Sequence, residues 1–284
     1  MSAVVTPSIE RIVELALEED LGRGDVTTCL TVPRGAEGSG KVIARESMVL
    51  SGLEVFEAVY RRVDPAVEIR PLASDGDRLE DGAEILGATG SLASLLMGER
   101  VALNFMQRLS GVATMTAGFV GALPEGAAAR IADTRKTAPG MRALQRMAVV
   151  HGGGFNHRAD LAGGVLIKEN HVASAGSVAA AVRACRAGAP HSLKVEVEVR
   201  SEQELEEAIH AGADAVLLDN MDPKRVARCV EIAAGRVITE ASGGVSLETV
   251  AGMARAGVDV ISVGALTHSA PSADISFLLD SVAR

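Results

Sequence analysis

Four stretches decide the fold: LKVEVEV at residues 193–199, DAVLLDN at 214–220, VITEAS at 237–242 and VDVISVG at 258–264. Each is a short apolar run followed by a segment with helical patterning or by the end of the chain. Parallel strands joined by crossover helices are what such repetition builds. The helix starts agree. Ser201 with Glu204 three residues on forms a capping box ahead of the apolar face of Leu205, Ala208 and Ile209, and Asp222-Pro223 opens the next helix with a cap and a proline. Gly212, Gly235 and Gly257 stand where these helices should close.

Within LKVEVEV the strand period of two sets Lys194, Glu196 and Glu198 on one face and Val195, Val197 and Val199 on the other. A barrel explains that pattern. The valines pack under the helices, while the charged row lines the lumen near its mouth, where a carboxylate persists only beside a cation, a metal or a ligand. An edge strand with one wet face would alternate in the same way. Polar residues gather at the carboxyl ends of all four runs: Glu196/Glu198, Asp219-Asn220, Glu240/Ser242 and Ser262/Gly264. In α/β barrels these ends carry the active site. The last two are glycine-rich, Ala241-Ser242-Gly243-Gly244 and Ser262-Val263-Gly264-Ala265. Bare backbone N–H groups in such loops can approach phosphate oxygens, although glycine loops also serve as plain turns.

Upstream, the pattern changes. Residues 38–49 alternate like a strand, 52–63 read as a helix, and 67–89 carry turn signals at Ser74-Asp75-Gly76, Asp81-Gly82 and Thr89-Gly90. An α+β domain with a small antiparallel sheet is expected there. Residues 97–115 then read as one long helix bearing Glu99, Arg100, Asn104 and Gln107.

The chain has 284 residues, with 28 Lys+Arg against 37 Asp+Glu and a formal charge of −9. Between residues 130 and 171 the balance reverses: seven Lys/Arg face three acids, leaving −13 for the remainder. A basic spot in an acidic surround suits a pocket for a small polyanion. Solvated helix faces are the plain alternative for any one of those cations. With no Trp, one Tyr and five Phe, the chain lacks the aromatic platforms and basic charge of a nucleic-acid binder. Cys29, Cys185 and Cys229 make no CxxC pair, so a reducing compartment and a cytoplasmic protein are expected. Glu10 and Arg11 interrupt any secretory h-region, and the charge-free stretch 109–124 falls short of a membrane span.

Longer polar blocks carry a resemblance. Residues 133–142 (DTRKTAPGMR), 152–158 (GGGFNHR) and 166–171 (LIKENH) look like the signature blocks of the quinolinate phosphoribosyltransferase family. Residues 18–20 with 24–27, 99–114 (ERVALNFMQRLSGVAT), 195–199, 218–220, 241–244 and 262–268 follow the family pattern in order. Glu169 stands where Asp is common in the family, and Ser47-Met48 where a Gly-containing turn is usual. The resemblance implies an N-terminal α/β sandwich domain (1–110) and an open seven-stranded, TIM-like α/β barrel (111–284), with the last residues able to return to the first domain. It implies a homodimer that joins quinolinate to phosphoribosyl pyrophosphate with Mg²⁺, releasing pyrophosphate and CO₂ and giving nicotinate mononucleotide for de novo NAD biosynthesis.

By similarity, quinolinate is held by Arg135, His157, Arg158 and Lys168, with Arg100 reaching in from the neighbouring subunit. Thr134 belongs to the same substrate-binding set, and Lys136 meets either the carboxylates or the pyrophosphate. Glu198 and Asp219 bind Mg²⁺ and the ribose hydroxyls, and Lys136, Glu198 and Asp219 form the catalytic set. Ser242, Gly243 and Gly244 with Val263, Gly264 and Ala265 receive the 5′-phosphate. Planar guanidinium forks suit carboxylates, and one or two carboxylates beside substrate phosphates suit Mg²⁺. Decarboxylation needs no organic cofactor, because the quaternised pyridinium nitrogen stabilises the carbanion next to it. Two other readings are compatible with such a chain: a molybdenum-transport-associated paralogue of the same fold with another acceptor, and a non-catalytic phospho-ligand binding barrel. His151 and His171 read as satisfied structural histidines, Asn156 and Asn170 as struts or ligands, and Met97, Met106 and Met115 as core.

Overall fold

The computed structural model describes residues 6–280. From the N-terminus the chain forms α1 (Pro7–Leu21), α2 (Val26–Thr31), β1 (Glu37–Ala44), β2 (Met48–Val49), α3 (Leu53–Val63), β3 (Glu68–Pro71), β4 (Arg78–Leu79), β5 (Glu84–Ser91) and the long α4 (Leu92–Gly121). There follow β6 (Arg130–Ala132), α5 (Arg142–His151), β7 (Val165–Ile167), α6 (Glu169–Ala175), α7 (Val178–Gly188), β8 (Val195–Val199) and α8 (Glu202–Ala211). The chain ends with β9 (Ala215–Asp219), α9 (Pro223–Ala233), β10 (Ile238–Ser242), α10 (Leu247–Arg255), β11 (Val260–Ser262), α11 (Ala265–His268) and β12 (Ile275–Leu279). Two compact units result, one of residues 6–117, 138–153 and 269–280, the other of residues 118–137 and 154–268.

The first unit is built on an antiparallel sheet in the order β12-β1-β5-β3, with a two-stranded β2-β4 pair beside it. The last strand thus returns to the beginning of the chain, Lys41 pairing with Leu278. Its core includes Phe56 and Tyr60, whose rings lie 5.1 Å apart. The buried Tyr60 hydroxyl donates to the Leu95 carbonyl at 2.8 Å, as a buried phenol must find an acceptor.

The second unit is a parallel six-stranded sheet in the order β6-β11-β10-β9-β8-β7. Strand β8 lies between β7 and β9, so its alternation is not that of an edge strand. Val195, Val197 and Val199 are fully buried, each worth about 1.5–3 kcal/mol of apolar transfer. The opposite face carries Glu196 and Glu198, only 12% and 11% exposed in their side chains.

Seven strands are expected from the sequence; six pair among the described residues, and the seventh position is a single parallel bridge between Ala132 and Phe155. The reason is local. Beyond Phe155 the main-chain N–H of His157 is taken by Asp133 Oδ1 at 2.7 Å, and that of Arg158 by the imidazole Nδ1 of His157 at 2.7 Å. Side chains have claimed the donors that a longer ladder would use.

The helix boundaries follow their caps. Ser201 accepts from the Glu204 N–H, and Asp222 from those of Lys224 and Arg225. Gly212 closes α8 at φ 89°, but α9 is closed by Ala234 in the left-handed region, one residue before the glycine expected to do it. Helix α4 exceeds its expected span at both ends, because the flanking Leu92-Ala-Ser-Leu-Leu and Thr116-Ala-Gly-Phe-Val segments have no proline to stop it. No helix of the described residues is long and apolar enough to cross a membrane.

Candidate active site

A cavity of about 660 Å³ opens at the carboxyl ends of the parallel strands, and every residue lining it belongs to the second unit. Its two flanks are made differently. One is made of side-chain charge: Thr134, Arg135 and Lys136 follow β6, His157 and Arg158 follow the Phe155 bridge, and Lys168 follows β7. The other is made largely of main chain, with Ser242–Val245 after β10 and Ser262–Ala265 after β11. Glu198 and Asp219 stand between, at the ends of β8 and β9.

The charged flank is positioned by main-chain bonds. Thr134 Oγ1 accepts from the Lys136 N–H at 3.0 Å, while the Lys136 carbonyl accepts from the Thr267 hydroxyl at 2.8 Å. Arg158 donates from its guanidinium to the Gly164 carbonyl at 2.9 Å. Burial, and then the neighbouring Arg135, hold the Arg158 guanidinium below its usual range. Arg135 Nε is itself buried without a hydrogen-bond partner among the described residues. Two guanidinium groups that repel each other, one with an unused donor, make a site short of negative charge. Lys168 caps α6: its N–H donates to His171 Nδ1 at 2.9 Å, and its Nζ lies 3.3 Å from Glu198 Oε2. His171 is therefore a capping residue.

Behind this flank lies a cluster with the composition of a metal site, His157 with Glu196 and Glu240. The geometry is that of a proton holder instead. His157 Nε2 is 3.3 Å from Glu196 and 3.4 Å from Glu240, and the two carboxylates, Glu196 first, push the imidazole up to about 10. Nδ1 accepts the Arg158 N–H, and that bond opposes a second ring proton. That leaves Nε2 as the ring's donor toward both carboxylates. Burial pushes the Glu196 carboxyl up, against the lowering effect of the His157 imidazole and with a smaller raising effect of Glu240.

The glycine flank requires its glycines. Gly243 has φ 92°, and a Cβ there would stand 2.3 Å from Asn220 Oδ1. A Cβ on Gly264 would press on Lys136 Cδ at 3.0 Å and His268 Nε2 at 3.3 Å, so Lys136 and His268 flank that loop. Asn220 adopts φ 53°, a conformation Asn tolerates, and donates to Asp219 Oδ1 at 3.0 Å. The Ser262 hydroxyl donates to that of Ser242 at 2.9 Å, tying the two loops.

Of the residues given a substrate-binding, metal-binding or catalytic role from the sequence, all but Arg100 line this cavity. Arg100 belongs to the first unit, on α4, with its side chain 57% exposed and 3.9 Å from Glu99. Arg142 and Arg146, counted in the basic segment, also lie in the first unit, on α5. Glu240, Asn220 and His268 line the cavity without having been assigned a role. The first two were visible as polar residues at strand ends, and His268 closes the 262–268 block that follows the family pattern.

Two family models cover nearly the whole chain: quinolinate phosphoribosyl transferase, N-terminal domain, over residues 25–110, and quinolinate phosphoribosyl transferase, C-terminal domain, over 112–278. The carboxylating nicotinate-nucleotide pyrophosphorylase of Mycobacterium leprae (strain TN) is 44% identical over 266 residues, 92% of this chain and 93% of that protein. Among solved structures, NadC from Streptococcus pyogenes superposes with a TM-score of 0.94 at 40% identity, covering 98% of this chain and 99% of the other. The nicotinate-nucleotide pyrophosphorylase of Francisella tularensis superposes with a TM-score of 0.91 at 39% identity, covering 97% and 98%.

Proposed function

The chain belongs to the quinolinate phosphoribosyltransferase family, and from that premise we propose how its cavity works. The reaction transfers phosphoribosyl from phosphoribosyl pyrophosphate to quinolinate with decarboxylation, giving nicotinate mononucleotide, pyrophosphate and CO₂ in de novo NAD biosynthesis. One observation carries the site assignment: a single cavity joins a cationic flank, a pair of carboxylates and two glycine loops.

Quinolinate is a rigid dicarboxylate, and the Arg158 guanidinium together with that of Arg135, whose buried Nε has no partner among the described residues, supplies fork-shaped donors for it. Lys168 adds a compact charge beside them. The 5′-phosphate of the donor substrate takes the bare N–H groups around Gly243, Gly244 and Gly264, the first two held at φ 92° and 61°, a backbone that side chains rarely adopt. Lys136 packs along the second of these loops, which favours a role toward the phosphates over one toward the pyridine. Glu198 and Asp219, on neighbouring strands and facing the same cavity, form a hard-oxygen donor set that fits Mg²⁺. When bound there, Mg²⁺ would neutralise pyrophosphate and assist its departure. The same carboxylates stabilise the positive charge that builds on the ribose ring, an electrostatic contribution on the order of 3 kcal/mol per preorganised group. Asn220 keeps Asp219 aimed for that task.

Arg100 completes the site from a partner subunit of a homodimer in this reading, consistent with its exposure and its absence from the cavity wall. The enzyme works in the cytoplasm. Purified protein with quinolinate, phosphoribosyl pyrophosphate and Mg²⁺ should yield nicotinate mononucleotide and CO₂; comparable turnover of nicotinate would overturn the acceptor assignment. For the dimer, Arg100→Ala and Lys136→Ala should each be nearly inactive. An equal mixture refolded together should regain about a quarter of wild-type activity, from one intact composite site in each hybrid. Hybrids that form and stay inactive would remove Arg100 from the site.

A further inference from the structure

The unabsorbed feature of the second unit is the buried carboxylate pair behind His157. Glu196 comes from β8 and Glu240 from β10, and Glu240 is 5% exposed in its side chain. We propose that Glu240, with Glu196, is a positioning residue for the acceptor: by holding the Nε2–H of His157 it fixes, through Nδ1 of the same ring, the main chain that carries Arg158. The proposal rests on the acceptor assignment above and adds what keeps that flank in place.

The chain of contacts is continuous. The Nε2–H is shared between the two carboxyls at 3.3 and 3.4 Å, which sets the plane of the ring. Nδ1 then receives the Arg158 N–H at 2.7 Å, and the N–H of His157 itself is held by the fully buried Asp133. Asp133 just beyond β6, Glu196 within β8 and Glu240 within β10 therefore converge on a segment outside the ladder. An isolated histidine could satisfy the Arg158 N–H, but its ring would turn freely about its second torsion. Misplacement of a substrate-holding arm by a fraction of an ångström is enough to weaken orientation.

Glu240→Ala and Glu240→Gln test this, with folding checked by circular dichroism and melting. The alanine variant should raise the KM for quinolinate roughly tenfold or more while leaving that for phosphoribosyl pyrophosphate within about twofold, because only one flank is loosened. Glutamine keeps an acceptor for the Nε2–H and should recover most of that loss. Equal changes for both substrates, an unchanged quinolinate KM in a folded alanine variant, or a glutamine variant no better than alanine would each overturn the proposal. A second measurement needs no substrate. In protein labelled with ¹⁵N-histidine, the resonances absent from a His157→Gln variant should show a protonated Nε2 and an unprotonated Nδ1. A protonated Nδ1 would break the link to Arg158. If wild-type protein fails to use quinolinate, the acceptor reading falls, while the tautomer still reports on the clamp.

Discussion

Both units keep ion pairs at the surface, but they handle buried polar groups in opposite ways. In the first, the ion pairs lie in water: Lys41 with Glu84 and Arg62 with Glu14 are all more than 40% exposed, and such pairs contribute little. Where that unit does bury polar groups, it closes them on themselves. Ser51 Oγ bonds His151 Nδ1 at 2.8 Å, and Asp75 lies 4.0 Å from the same nitrogen while accepting the Leu53 N–H. In the second unit, buried charge is left incomplete, with Arg135 Nε and Glu240 Oε1 both lacking partners among the described residues. Satisfied buried polar groups stabilise a fold; unsatisfied ones in a cavity mark where a ligand completes the set.

The sharpest way to break this contrast is at the carboxylates between the flanks. Asp219→Asn should lower turnover a hundredfold or more, about 3 kcal/mol of transition-state stabilisation. Quinolinate binding measured by calorimetry should stay nearly intact. Loss of quinolinate binding with normal turnover at saturation would assign Asp219 to the other substrate.

A smaller effect is expected on the glycine flank. Gly243→Ala must accommodate a left-handed backbone and a clash with the Asn220 amide, costing about 1–3 kcal/mol. Melting should drop, and the KM for phosphoribosyl pyrophosphate should rise while that for quinolinate holds. A quinolinate-specific defect would mean that the two flanks bind the substrates in the reverse order.

The smallest effect belongs to the exposed charge of the first unit. Asp25 caps α2, and the Thr28 hydroxyl, followed by the Thr28 N–H, holds its carboxyl below the usual range. A carboxyl with a lowered native pKa binds fewer protons folded than unfolded at acid pH. Its contribution is therefore complete above the ordinary value of 3.8 and fades as pH falls through the lowered one. Urea midpoints of wild type and Asp25→Ala should differ slightly at neutral pH and converge as pH falls below the ordinary value of 3.8. A gap that widens in acid would contradict the cap.

How much of this was legible differs from residue to residue. The period of two in residues 193–199 gave both faces of β8, because alternation is a property of one strand and needs no partner. Asp222 announced the start of α9, since a cap acts within three residues of itself. Family resemblance named the cavity residues in advance, but not the clamp on His157, because the resemblance carries roles and not hydrogen-bond directions.

By itself, then, the sequence determined what is local or periodic: the strand faces, most caps, and the βα repeat with its polar carboxyl ends. Only the tertiary structure decided three things. It reduced the seventh strand to one bridge, since Asp133 and His157 took the donors of residues 157 and 158. It sorted the cations of a single basic segment, sending Arg135 and Arg158 to the cavity and Arg142 and Arg146 to α5. It also brought Glu196 and Glu240, 44 positions apart, onto one imidazole nitrogen. Each outcome depends on which groups meet across strands, and a one-dimensional pattern carries the period of an element without the identity of its neighbour.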